Sequence, residues 1–95
     1  MFDLKRKNAL ITGASGGIGG AIAKSRYDAG ATVALSGTRV APLEELAASL
    51  GEGAHVLPCN LSDVDAVTAL PKQAAEEMGS VDVLVNNAGI TRDNI

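Results

Sequence analysis

Aromatic residues are almost missing from this chain: one tyrosine, one phenylalanine and no tryptophan in 95 residues. Any core must therefore be built from Ala, Val, Leu and Ile. A hydrophobic content of 46% and a positive mean hydropathy make such a core feasible. That composition suits a parallel sheet buried on both faces. The single Cys59 excludes an internal disulfide and any multi-cysteine metal site. It lies in an apolar run, so a buried, inert thiol is expected. With one histidine, His55, no metal-ligand pattern is present and no metal is expected. No apolar run approaches the ~20 residues of a membrane span. Charges follow Met1-Phe2 at once, unlike a signal peptide, and a cytoplasmic protein without a membrane partner is expected. Basic residues cluster only at Lys5-Arg6-Lys7, in a chain of formal net charge −3. Binding nucleic acid through its phosphates would want a broader basic surface. The triplet reads as a solvated lead-in to the first strand, and no nucleic-acid partner is expected.

The length allows one small domain, and within it strand-like and helix-like segments alternate. Residues 8–12 read as a first strand, and 18–29 as a helix closed by Gly30. Ile18 and Ile22 mark its inward stripe. Arg26 falls next on that stripe, so either its stem lies along the sheet with its head in water, or the helix is rotated or partly exposed. Residues 32–36 form a second strand. A second helix carries Leu43, Leu46, Ala47 and Leu50 at helical spacing. Pro42 fits its first turn and Gly51 its C-terminal cap. Residues 54–59 read as a third strand. Ser62 is then placed as the cap of a third helix, with Val64, Val67, Ala74 and Met78 inward and a kink or break at Pro71. Residues 81–85 form a fourth strand. No linker, low-complexity tract or internal repeat is visible.

Such an alternation implies an α/β fold, a Rossmann-like doubly wound parallel sheet with right-handed crossovers and strand order 3-2-1-4. The direction of winding then switches between strands 1 and 4. Two glycine-containing stretches follow those strands: Thr12-Gly13-Ala14-Ser15-Gly16-Gly17-Ile18-Gly19 and Asn86-Asn87-Ala88-Gly89. They meet at the crevice where such folds bind nucleotides. A strand, a tight turn of small residues and a helix start make a phosphate cradle, because the helix N-terminus offers free N–H groups and partial positive charge.

The spacing Gly13-x-x-x-Gly17-x-Gly19, together with Asn86-Asn87-Ala88-Gly89, resembles the short-chain dehydrogenase/reductase family. The following Ile90-Thr91-Arg92-Asp93-Asn94 is most similar to the bacterial 3-oxoacyl-acyl-carrier-protein reductases, and acetoacetyl-CoA reductases share much of it. The resemblance covers essentially the whole chain but only the N-terminal half of the family's domain. Residues 1–95 would form one NADP-binding Rossmann half-domain. It implies cofactor contacts from Gly13, Ala14, Ser15, Gly16, Gly17, Ile18 and Gly19 around the pyrophosphate. Asn87, Ala88 and Gly89 would lie on the ribose side, with Asn86 mainly structural. Asn60 and Leu61 would sit at the adenine, where the family commonly has an acid at position 60.

The end of the second strand decides between the two nicotinamide cofactors. A carboxylate there would accept from the adenosine 2′-hydroxyl and repel a 2′-phosphate. This chain has Ser36-Gly37-Thr38-Arg39 and no acid. Arg39 can pair with a phosphate through two parallel hydrogen bonds, and Thr38 can donate another while capping the helix, so NADP(H) is expected. Each position also has a purely structural alternative: a ligand-free turn at 13–19, a solvent-facing Arg39, and a turn before Ser62 stabilised by Asn60.

The family's catalytic serine, tyrosine and lysine would lie beyond Ile95. The only tyrosine, Tyr27, is followed four residues later by Ala31, so no Tyr-x-x-x-Lys pair exists and no residue is assigned to catalysis. The expected parent is a homo-oligomeric NADPH-dependent reductase of acyl-carrier-protein thioesters, with acetoacetyl-CoA as the alternative substrate. The alternatives to an enzyme's cofactor-binding half are an inactive nucleotide-binding module and a self-associating fragment with an exposed sheet edge.

Overall fold

The computed structural model describes residues 7–87. The elements run β1 (Asn8–Thr12), α1 (Gly17–Asp28), β2 (Thr32–Ser36), α2 (Val40–Leu50), β3 (Ala54–Val56), α3 (Val64–Met78) and β4 (Val83–Asn86). The strands form one sheet in the order β3-β2-β1-β4, with every neighbouring pair parallel. This is the doubly wound order expected from the alternating pattern, and the switch lies between β1 and β4.

The central strands explain why the sheet forms. Ala9, Leu10 and Ile11 of β1 and Val33, Ala34 and Leu35 of β2 are all fully buried. Side chains alternate faces along a strand, so each strand feeds two cores. Ala9, Ile11, Val33 and Leu35 pack with Ala14, Ala23 and Leu43 beneath α1 and α2. Leu10 and Ala34 pack with Cys59, Leu70 and Ala74 beneath α3. Burying each large aliphatic side chain contributes about 1.5–3 kcal/mol. Leu46, Ala47 and Leu50 close over the first core together with Leu43, as their helical spacing predicts. Gly51 ends α2 at φ +111°, its N–H bonding to the Ala47 carbonyl.

Several boundaries and faces differ from the sequence reading. Ile18 does not line the inward stripe of α1; it is 72% exposed. The helix instead turns Gly19 and Ala23 to the sheet, because the smallest side chains allow the closest approach. Ile22 and Tyr27 pack half-buried beside them. Arg26 is half-buried in the last turn, where a cation suits the negative end of the helix. Val64 is likewise 76% exposed, and α3 buries Leu70 and Ala74.

Asp63, not Ser62, caps α3: its carboxylate accepts the N–H groups of Asp65 and Ala66. Pro71 neither ends nor divides α3, which runs through it to Met78. The ring is exposed, and the tertiary packing of Leu70 and Ala74 outweighs the lost backbone bond. β3 is shorter than residues 54–59, although Leu57 and Cys59 still donate backbone bonds to Leu35 and Gly37. β4 starts later than residue 81 and reaches Asn86.

Candidate functional site

In a parallel sheet every strand delivers its following loop to the same end. The turns after β1, β2, β3 and β4 therefore converge, and hydrogen bonds lock them together. The Ala14 N–H donates to the Ser36 carbonyl at 3.0 Å, joining the glycine turn to the end of β2. The Cys59 N–H donates to the Gly37 carbonyl at 3.0 Å, and the Leu61 N–H to the Thr38 hydroxyl at 3.4 Å. These two tie the third loop to the second. The Asn87 side-chain amide donates to the Gly13 carbonyl at 3.4 Å, closing the fourth loop onto the first. Residues from all four sequence-predicted stretches are thus brought together. Ala88 and Gly89 lie outside the described residues.

The glycine turn owes its shape to close approaches. A Cβ on Gly19 would overlap the Gly13 carbonyl oxygen and stand 2.7 Å from the Gly13 carbon. Nothing larger than glycine fits where α1 crosses the turn. Gly16, by contrast, is the N-cap of α1 with no side-chain cap bond, and no acid stands in the first helical turn. Gly16, Gly17 and Ile18 are exposed, and a Cβ on Gly17 would meet nothing within 4 Å. The start of α1 therefore presents uncapped N–H groups and positive helix-end charge to open space.

The second loop adds a cation. Arg39 is the N-cap of α2, makes no side-chain cap bond and is exposed. Thr38 consequently does not cap α2 as expected. Its oxygen accepts from Leu61, which leaves the hydroxyl proton to donate elsewhere. No carboxylate stands at residues 36–39.

Asn60 performs the structural role weighed for it: its side-chain oxygen accepts the Ser62 N–H at 3.0 Å. A second lone pair and the amide hydrogens remain for a ligand. Asn86 is structural too, accepting the Thr12 hydroxyl at 3.1 Å.

Sequence reasoning missed Gly37. A Cβ there would come 2.9 Å from the Ser15 hydroxyl oxygen, so its absence lets Ser15 seat against the end of β2. A glycine directly after a buried strand was the available signal. Ser36 was also missed; its hydroxyl is buried without a hydrogen-bond partner among the described residues. Cys59 is 9% exposed, and its thiol pKa is raised by burial and then by the neighbouring Asp63 carboxylate. The thiol is free and buried, as expected. Among the described residues no group of three or more ligating side chains could hold a metal. No helix there is long and apolar enough to cross a membrane.

A doubly wound parallel sheet with an uncapped, glycine-framed helix start at its switch point defines a dinucleotide-binding class of protein. Comparison with known proteins makes this particular. Residues 7–95 match the short chain dehydrogenase family, and the chain belongs to it. It is 54% identical over 95 residues to nodulation protein G of Rhizobium sp. (strain N33), covering all of this chain and 39% of that protein. It is 45% identical over 94 residues to the 3-oxoacyl-acyl-carrier-protein reductase of Vibrio harveyi, covering 99% of this chain and 38% of the relative. Among solved structures, the 3-ketoacyl-acyl-carrier-protein reductase of Brucella melitensis complexed with NADH superposes with a TM-score of 0.80. The two are 34% identical, over 86% of this chain and 34% of that one. The chain thus spans well under half the length of the relatives it matches.

Proposed function

We propose that the crevice formed by residues 13–19, 38–39, 60–61 and 87 binds NADP(H), with Ala88 and Gly89 as the further contacts that the family resemblance implies, and that residues 1–95 form the cofactor-binding half-domain of a reductase. The observation that carries this reading is the exposed, uncapped start of α1, framed by Gly13 and Gly19 and bonded to the loops after β2 and β4. A pyrophosphate fits such a cradle, because its charge replaces the missing cap. Membership of an oxidoreductase family and the NADH in the Brucella reductase support a nicotinamide dinucleotide. The choice of the phosphorylated form rests on Thr38 and Arg39. One supplies a hydroxyl proton and the other a guanidinium, and no acid is present to repel a 2′-phosphate.

When bound, the cofactor would supply the hydride. The chain's own groups bind and orient it: N–H groups of the first turn of α1 at the pyrophosphate, Arg39 and Thr38 at the adenosine, Asn60 and Leu61 at the base. Asn87 holds the ribose side. The likeness to acyl-carrier-protein reductases supports a 3-oxoacyl thioester as the substrate of a homo-oligomeric, cytoplasmic parent, with acetoacetyl-CoA as the alternative. No Tyr-x-x-x-Lys pair is present, so the 95-residue chain alone reduces no ketone and acts as a binding module.

The test is calorimetric titration of the chain with NADPH and NADH, before and after Arg39→Ala. The substitution is expected to weaken NADPH by about 1–3 kcal/mol, the scale of a charge-assisted pair, and to leave NADH unchanged. Equal losses for both nucleotides would refute the assignment. NADPH oxidation with acetoacetyl-CoA by the purified chain, above a contaminant control, would refute its inactivity.

A further inference from the structure

Gly37 is a glycine for which its own backbone gives no reason. It follows β2 directly, and it is not one of the glycines with positive φ, so alanine could adopt its conformation. The reason lies in the loop after β1. A Cβ on Gly37 would stand 2.9 Å from the Ser15 hydroxyl oxygen, but 3.5 Å from the Ser15 Cβ and nitrogen, which is ordinary contact. The hydroxyl alone uses the space that a side chain at position 37 would fill.

Ser15 is half-buried, and its hydroxyl makes no hydrogen bond among the described residues. Such a group has a proton to donate and lone pairs to accept with. It stands at the joint between the first two loops, where the Ala14 N–H bonds the Ser36 carbonyl. The open start of α1 lies on one side of that joint, and Thr38 and Arg39 lie on the other. A dinucleotide with its pyrophosphate at the first and its adenosine phosphate at the second crosses the joint with the adenosine ribose.

We infer, resting on the proposed binding of NADP(H) in the crevice, that Gly37 is a positioning residue for the nucleotide: its missing side chain keeps the Ser15 hydroxyl in the rotamer that meets the adenosine ribose. A serine hydroxyl has three staggered positions. The gap over Gly37 leaves open the one that Ser15 occupies. A methyl at position 37 closes it, and Ser15 turns to another. The displaced atom is the end of a rotatable side chain, so the fold loses nothing and only the hydrogen bond to the ligand changes. The loop after β2 thereby sets the aim of a group on the loop after β1.

The experiment is a double-mutant cycle on the chain, read by calorimetric titration with NADPH and by urea unfolding. Ser15→Ala should weaken NADPH about fivefold, the scale of one neutral hydrogen bond. Gly37→Ala should weaken it by about the same factor, while the urea midpoint holds or rises. In the Ser15→Ala background the hydroxyl is gone and Cβ faces Cβ at 3.5 Å, so Gly37→Ala should cost nothing further. Side-chain coupling constants from NMR of the nucleotide-free chain should show Ser15 leaving its χ1 rotamer in Gly37→Ala. A loss of affinity from Gly37→Ala that persists in the Ser15→Ala background would overturn the inference, because the methyl would then block the ligand directly. So would an unchanged Ser15 rotamer, or a lowered urea midpoint, in which case the loop and not the side chain gives way. NADPH binding that both substitutions leave intact would overturn it while sparing the crevice. No NADPH binding by the unaltered chain would overturn the crevice assignment itself, and the role of Gly37 with it.

Discussion

The N-termini of α1 and α3 point to the same end of the sheet, yet the chain finishes them in opposite ways. At α3, Asp63 accepts two first-turn N–H groups and Asp65 adds a second negative charge within the first turn. Those carboxylates satisfy the free donors and offset the helix-end charge. At α1, glycine occupies the cap position, no side chain bonds back and no acid follows. One helix start is completed by its own side chains; the other is left for something negative to complete. Folding alone would favour a cap at both. The open one lies at the switch between β1 and β4, where the loops after all four strands converge.

The largest expected effect comes from the crowding that shapes the open start. Gly19→Ala drives a methyl into the Gly13 carbonyl. Backbone cannot move aside as a flexible side chain would, so about 3 kcal/mol of stability should be lost. A urea midpoint unchanged from wild type would show that the α1–turn contact is looser than described. Gly17→Ala is the companion. Its methyl meets nothing in the protein, so stability should hold or rise by up to about 1 kcal/mol, while NADPH affinity falls because the methyl occupies the ligand's side.

Asp63→Ala opens the closed start. It removes a side-chain cap from an exposed helix end, and about 1 kcal/mol should be lost. Because the α3 start is not part of the cradle's first turn, the loss should appear in thermal or urea unfolding and not in the affinity for NADPH. A drop in affinity larger than the drop in stability would mean that the two helix starts are coupled.

Gly16→Asp closes the open one. Gly16 has φ −93° and ψ 167°, a conformation that any residue adopts. A Cβ there would lie 3.8 Å from the Gly13 oxygen, an ordinary contact. The new carboxylate should cap α1 and raise stability by about 0.5 kcal/mol. It should also repel the pyrophosphate and abolish nucleotide binding. Gain of stability with retained binding would remove α1 from the site.

How much of this was legible in the sequence follows from where each signal resides. β1 and β2 were bounded correctly because both are continuous apolar runs between polar breaks, buried on two faces. β3 and β4 flank them and, among the described residues, pair on one side, so their ends are set by tertiary bonds and not by composition. Ile18 and Val64 misled because a helix's first turn overhangs the strand ends, where an apolar side chain has no sheet beneath it. The true inward line of α1, Gly19 and Ala23, is nearly invisible to hydropathy. At the site, the glycine spacing and the strand-4 motif could be read directly. That Asn87 reaches Gly13, that Thr38 holds Leu61 instead of capping α2, and that Gly37 makes room for Ser15 depend on loops distant in sequence.

The smallest effect is a pH dependence that links the closed helix start to the core. Burial holds the Cys59 thiol above its ordinary pKa, and the Asp63 carboxylate raises it further. In the unfolded chain the thiol ionises near ~8.5. Below that pH it is protonated in both states and its contribution to stability is complete. As pH rises from there toward the raised folded value, the unfolded chain releases the proton first and its free energy is lowered, so stability falls. Cys59→Ala should flatten the decline in urea midpoint between neutral pH and the alkaline range. Asp63→Ala should flatten it only in part, because burial is the larger cause and remains. If Cys59→Ala leaves the alkaline slope intact, another group governs it. If Asp63→Ala removes the slope entirely, the carboxylate and not burial sets the thiol's pKa.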